Sequence, residues 1–457
     1  MSTTRREKDS IGDVQVPADA HYGAFTARAL DNFQLSGMRA KPVFIRALAL
    51  TKKAAAEANA ELGALDRKSA LAIAKAADEV LAGKLDAEFP LDVFQAGAGT
   101  PFNMNMNEVL ANRANELLGS AKGAYKPVHP NDHVNLGQSS NDVIPTVVRL
   151  SVIISSRELV KEARELEAAL QKKAREFADV KKVGRTHLQD AVPTTLGLEF
   201  GAYASALRKD VEELECSLER LGELGIGGTA LGTGINAHPK FKETIVARLN
   251  GLTGLKLRAS KDTVELAQNM NAFLQFSGAL RMLVVTLART ACDLKLLSSG
   301  PRGGLGELIL PEVEPGSSIM PGKVNPSIPE AVEMCSYHVM GSDRAVELAC
   351  KAGQLDLNTN TPLIAHELLG SIELITNCCA MFREKCIAGI QADRKRIAEI
   401  YIKSNTYATA LTPTLGYAKV AALVKESLRS GKGVKELVLE KKLMDAKELE
   451  KILREIA

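Results

Sequence analysis

The chain has 457 residues, of which 46% are hydrophobic, 25% charged and only 4% aromatic, with no Trp. That length exceeds what one simple hydrophobic core organises, so more than one domain is expected. With 58 basic and 55 acidic residues the net charge is +3, which argues against nucleic acid as a partner and leaves room for a small anion.

The opening MSTTRREKDSIGD lacks the apolar stretch of a signal peptide. No run of about 18 uninterrupted apolar residues follows, so a cytoplasmic protein with no membrane partner is expected. Seven cysteines, Cys216, Cys292, Cys335, Cys350, Cys378, Cys379 and Cys386, are odd in number and lack CxxC spacing. They are read as buried free thiols and not as a metal site. Abundant Ala, Leu, Glu and Lys point to an all-α, mainly helical fold.

Up to about residue 137, short helical patterns alternate with Gly- and Pro-bearing connections. From about Asp142 to Phe177, apolar residues recur every three or four positions with almost no Gly or Pro, which predicts one very long helix. Further long helices are predicted over about Pro193–Leu221 and Thr263–Leu297. Helices of this length belong to bundles. From about 392 come short amphipathic helices ending in a charged outer lobe. Three domains are therefore expected: residues 1–137, a central long-helix bundle over 138–391 completed by other subunits, and 392–457.

Four polar, glycine-bearing segments interrupt the helices. In AGAGTPFNMNMNE (96–108), Thr100 before Pro101 has the form of a helix cap followed by a first-turn proline. In HPNDHVNLGQSSND (129–142), Ser139 or Ser140 is placed to cap the long helix, with Asp142 as in a capping box. GRTHLQD (184–190) carries Thr186 and His187. PGSSIMPGKVNPSIPE (315–330) carries Ser317, Ser318, Lys323, the cap-like Asn325–Pro326 pair, and Glu330, a candidate partner for His187. Helix N-termini attract carboxylates, and several of them together with Lys323 would suit a dicarboxylate, although each taken singly is also an ordinary cap. A serine hydroxyl acts as a base only where N–H donors and positive charge stabilise its alkoxide. The stretch GIGGTALGTGIN (225–236) lacks the Gly-Lys-Ser/Thr ending of a phosphate loop and reads as a helix-to-helix connection.

GSSIMPGKVNP at 316–326 resembles the signature loop of the aspartase/fumarase superfamily. QSSND (138–142), GRTHLQDA (184–191), GGTALGTGIN (227–236) and LSSGPRGGLGE (297–307) match in the same order. The resemblance covers nearly the whole chain and implies a homotetramer with a multi-helix core, active sites shared between subunits, and neither metal nor organic cofactor. It implies that Ser317 removes the proton beside one carboxylate of a small dicarboxylate. Lys323, Asn325 and the backbone around Ser318 then hold the resulting aci-carboxylate. Thr100, Ser139, Ser140, Asn141, Thr186 and His187 match substrate-binding positions, and Glu330 the acidic partner of the histidine. His129, Asn131 and Asp132 match a second, non-catalytic carboxylate site, their alternative being a plain turn.

Positions that separate members of the family disagree. Ala98, Tyr22, SIPE (327–330) and AGQLDLN (352–358) look like aspartases, whereas Ser140, HPND (129–132) and MNMNEVLANRA (104–114) look like fumarases. Deamination of L-aspartate to fumarate is the favoured expectation. Hydration of fumarate is the second, and lyases of other N- or S-succinyl compounds follow. A non-catalytic helical tetramer is the reading outside the enzyme class.

Overall fold

The computed structural model describes residues 3–454. The chain opens with an antiparallel hairpin, β1 (Thr4–Asp9) and β2 (Gly12–Pro17), followed by α1 (Ala24–Asn32), α2 (Pro42–Glu61), α3 (Arg67–Leu81) and α4 (Thr100–Leu117). The 37-residue α5 (Ser140–Glu176) leads into a second hairpin, β3 (Lys181–Thr186) and β4 (Gln189–Thr195), and then α6 (Leu196–Leu221). After α7 (Phe241–Thr253) and α8 (Thr263–Gln268) come three further long helices, α9 (Asn271–Leu297), α10 (Ser327–Lys351) and α11 (Thr361–Lys385). The tail holds α12 (Arg394–Lys403), α13 (Thr412–Leu415), α14 (Tyr417–Ser430), α15 (Val434–Glu440) and α16 (Ala446–Arg454). The fold is mainly helical, as composition and periodicity predict.

The third predicted helix is in fact two. Asn269 is extended and ends α8, and its side-chain carbonyl accepts the Asn271 N–H at 2.9 Å to start α9. An asparagine that offers the backbone an alternative partner breaks a helix that apolar periodicity alone would continue.

The chain forms two compact units. The first comprises residues up to Val160, Glu212–Met282 and Tyr337–Ile375; the second comprises Lys161–Val211, Leu283–Ser336 and the chain from Thr376. In the first, α2 packs between α3 and α7 through alanines, with Ala47, Ala54, Ala55 and Ala58 fully buried. In the second, the tail closes its own small core from Tyr407, Leu411, Leu423, Val434, Leu437 and Leu449.

Helices α9 and α11 are long and apolar enough to cross a membrane by length and composition, yet about half of each such window is buried within the chain. What stays uncovered forms stripes: Met282, Val285 and Leu296 on α9, and Met334, Tyr337 and Leu348 on α10. Helical spacing puts each set on one face. The cysteines are free, but only Cys378, Cys379 and Cys386 are buried, while Cys216 and Cys292 are exposed. Cys292 lies on the same uncovered face of α9, so periodicity marked an apolar position that this chain alone does not cover.

Candidate active site

In the first unit the N-termini of α4 and α5 are neighbours. A 3-10 turn, Gly97–Gly99, precedes α4. Gly99 has φ +68°, and a Cβ there would lie 3.1 Å from Ile144 in the first turns of α5. The start of α4 therefore packs against the first turns of α5. The cap of α4 is Gly99 and not Thr100, which is the first helical residue. Among the described residues its hydroxyl has no hydrogen-bond partner.

The start of α5 follows the predicted capping box. Ser139 Oγ accepts the Asn141 N–H at 3.2 Å, and Asp142 reaches back to accept the Ser139 N–H at 2.9 Å. The other oxygen of Asp142 accepts N–H bonds from Gly227 (2.9 Å) and Thr229 (2.8 Å). Asn141 donates to Ala230 O at 2.9 Å. One carboxylate thus joins the QSSND segment to the glycine-rich connection.

Beneath it lies Lys52 of α2, fully buried, donating to Asn135 Oδ1 (2.8 Å) and Gln138 Oε1 (3.0 Å). Asn103 of α4 donates to the same Asn135 oxygen at 3.1 Å. Burial pushes the Lys52 ammonium down to about 7, opposed by the negative charge of Asp142. Burial pushes the Asp142 carboxyl up to about 6, opposed by its three backbone donors and then by Lys52. Sequence reasoning missed Lys52. Its signal is position: it falls on the buried Leu48–Ala55–Asn59 stripe of α2, where a lysine needs a polar purpose.

His129 opens the turn Pro130–Val134. Its Nδ1 accepts N–H bonds from Asn131 (3.3 Å) and Asp132 (3.2 Å), leaving Nε2 as the ring's donor. Thr100, His129 and Asn131 line one cavity of about 660 Å³, with Arg28 and Tyr125 also on its wall. Asp132 is exposed and outside that lining.

In the second unit, β3 and β4 form a two-residue hairpin whose tip is His187 and Leu188, at φ +55° and +59°. That is the geometry of a type I′ turn, normally filled by Asn-Gly or Gly-Gly. Non-glycine residues there cost roughly 1–2 kcal/mol each, and such outliers gather at functional sites. Thr186, His187 and Leu188 are all exposed.

The signature loop is a closed excursion. Gly316 donates its N–H to Lys323 O (2.9 Å), and Asn325 donates its side-chain amide to Gly316 O (2.5 Å). A Cβ at Gly316 would lie 2.4 Å from Lys323 O, so glycine is required there. Asn325 therefore ties the loop and leaves the start of α10 to Pro326, whose carbonyl accepts the Glu330 N–H at 3.1 Å. Within the loop, Ser317 Oγ accepts backbone N–H bonds from Ile319 (3.2 Å) and Met320 (3.1 Å). Two amides aimed at one hydroxyl oxygen favour its alkoxide. They come from the loop itself.

Ser317 and Asn325 are partly buried, whereas Ser318, Lys323 and Glu330 are exposed. Among the described residues His187 and Glu330 share no bond within the chain. Glu330 instead acts electrostatically on Lys295, whose pKa is raised chiefly by its hydrogen bond to Glu333. No group of three or more His, Cys, Asp or Glu among the described residues is arranged to hold a metal ion.

A sequence model of a lyase family matches residues 12–341, and one of the fumarase C C-terminus matches 408–456. The chain is 46% identical over 456 residues to an aspartate ammonia-lyase of Pseudomonas aeruginosa, covering 99% of this chain and 96% of that protein. It is 47% identical over 438 residues to a class II fumarate hydratase of Chromobacterium violaceum, covering 96% and 95%. Among solved structures, a fumarate lyase:delta crystallin from Brucella melitensis bound to cobalt superposes with a TM-score of 0.96 at 47% identity, covering 99% of this chain and 98% of that one.

Proposed function

Since the chain belongs to the aspartase/fumarase superfamily of lyases, we propose that its own reaction is the elimination of ammonia from L-aspartate to give fumarate. The paired amides on Ser317 Oγ carry the chemistry of this reading. As alkoxide, Ser317 takes the proton from the carbon beside one carboxylate. The electron pair of that C–H bond moves into the carboxylate, giving an aci-carboxylate held by Lys323, Asn325 and the Ser318 backbone. Its collapse breaks the bond to nitrogen and releases ammonia. Stabilisation of charge that appears only along the reaction raises kcat. Thr100, Ser139, Ser140, Asn141 and Thr186 bind the substrate's other polar groups, with His187 and its partner Glu330 at the leaving-group side.

Ala98 supports ammonia as the leaving group. It is buried in the turn before Thr100 and held by its N–H to Thr359 O at 2.7 Å. It brings a methyl where a serine would offer a hydroxyl to a departing water. Ser140, together with the HPND turn, supports the second reading, a fumarate hydratase that interconverts L-malate and fumarate. The uncovered stripes on α9 and α10 support association with further subunits, and the reading carries with it a cytoplasmic homotetramer with shared active sites. The three-part layout at 1–137, 138–391 and 392–457 belongs to the same reading.

Following fumarate absorbance with L-aspartate, with L-malate, and with fumarate plus ammonium separates the two. Reaction with L-malate alone removes the ammonia-lyase, and reaction with none of them removes both. Ser317→Ala should leave the assembly intact and lower kcat by orders of magnitude; an active variant removes Ser317 from the mechanism.

A further inference from the structure

We propose that Glu307 is a positioning residue for the substrate site, holding the Thr186–His187 hairpin in register through Arg185 and Lys182. This rests on the placement of Thr186 and His187 in that site. Among the described residues neither side chain has a hydrogen-bond partner in the chain, and both are exposed. Their position is therefore set from the base of the hairpin.

The base contains a register slip. Val183 pairs with Pro193, but Arg185 pairs with Asp190, so Ala191 and Val192 together oppose Gly184. Beyond the slip only two pairs, Arg185 with Asp190 and Thr186 with Gln189, hold the tip. Bulges re-aim side chains, and a one-residue shift sends a side chain to the opposite face. Something outside the ladder must select this register.

Arg185 is the first residue past the slip. Its guanidinium lies 2.6 Å from Glu307 Oε1, and the other oxygen of Glu307 lies 3.0 Å from Lys182 Nζ. Lys182 also meets Glu199 Oε1 at 2.6 Å. Glu307 is fully buried and Lys182 nearly so, while Arg185 and Glu199 are partly buried, so two cations and two carboxylates balance where screening by water is reduced. Main-chain bonds fix Glu307 on both sides: its N–H donates to Leu297 O at 2.8 Å and its carbonyl accepts the Asp393 N–H at 3.0 Å. The preceding turn is held as well, by Arg396 donating to Leu305 O (3.0 Å) and Gly304 O (3.1 Å). Glu307 is thus a fixed post reaching the tip side of the slip. Loss of its charge leaves the buried Lys182 and the part-buried Arg185 facing one carboxylate, and the arrangement loosens at Arg185.

The test compares Glu307→Gln, Arg185→Gln, their double variant and Arg185→Lys with His187→Ala and wild type, on whichever substrate wild type converts. Glu307→Gln and Arg185→Gln should each lower kcat/KM by about 10- to 100-fold, the scale of a small misplacement of a substrate-facing group. The double variant should be no worse than the poorer single one, and Arg185→Lys, which keeps the charge, should recover part of the loss. Amide exchange in the 181–195 peptide should quicken in Glu307→Gln while other peptides are unchanged. Wild-type kcat/KM in Glu307→Gln or Arg185→Gln alongside an impaired His187→Ala overturns the clamp. Additive losses in the double variant overturn it too, and the Arg185 variants decide the matter should Glu307→Gln not fold. Full activity in His187→Ala instead overturns the placement of the hairpin in the substrate site.

Discussion

Replacing Asp142 with asparagine separates what this carboxylate does for stability from what it does for the site. One of its oxygens accepts the Ser139 N–H and the other accepts those of Gly227 and Thr229. An amide can accept on one side only. Its best orientation keeps the two bonds to the glycine-rich connection and turns its NH2 toward the Ser139 N–H, losing one charge-assisted bond at a cost of about 1.5–3 kcal/mol. Against this, burial lifts the Asp142 carboxyl from 3.8 to about 6. That shift amounts to about 3 kcal/mol held against the ionised form at pH 8, which asparagine avoids. The two effects nearly cancel, so stability at pH 8 should change by no more than about 1–2 kcal/mol.

At lower pH the two proteins part. A carboxyl whose folded pKa lies above its unfolded value binds protons more tightly when folded, so its contribution grows as pH falls through about 6 and is lost as pH rises through it. Between pH 8 and pH 5 wild type gains about 1.4 kcal/mol from Asp142, and Asp142→Asn gains none. Lys52, lowered to about 7, works the other way, losing stability as pH falls from its unfolded 10.5 toward about 7. Both proteins share that loss, and removing the Asp142 charge deepens it in the variant, so the gap widens in the same direction. Urea unfolding at fixed protein concentration and pH 5, 6, 7 and 8 reads the difference. Midpoints that run parallel over this range would refute the raised Asp142 pKa. Activity should fall at every pH, because Ser139, Asn141 and the 225–236 connection lose their common anchor.

Lys323→Ala should raise KM as well as lower kcat, having lost a charge-assisted contact to a bound carboxylate; an unchanged KM would place Lys323 outside the site. Gly232→Ala should lower the melting temperature by several degrees, because φ is +88° and a Cβ would sit 2.4 Å from Val264 N. The expected cost is about 2 kcal/mol or more, and an unchanged melting curve would contradict that geometry. Met334→Glu puts a charge on the uncovered stripe of α10 and should shift sedimentation to smaller species. A variant as large and stable as wild type would show that this stripe is not between subunits.

The sequence by itself determined the helical class, the long α5 and a capping box closed by Asp142 with Ser139 or Ser140 as its cap, and its resemblance to a known family picked out the signature loop. The first three follow from local rules of apolar spacing and cap chemistry, while the crowding that requires glycine at 316 shows only in the structure. Only the tertiary structure decided that Gly99 and not Thr100 caps α4, that Asn325 ties its loop and not its helix, and that Ser317 receives its amides from Ile319 and Met320. It alone brought Lys52 beneath Asp142 and Glu307 beneath the His187 hairpin. Buried charges find their partners across dozens to more than a hundred residues of chain. Their pairing depends on which surfaces packing brings together, and no periodicity of three or four residues encodes that.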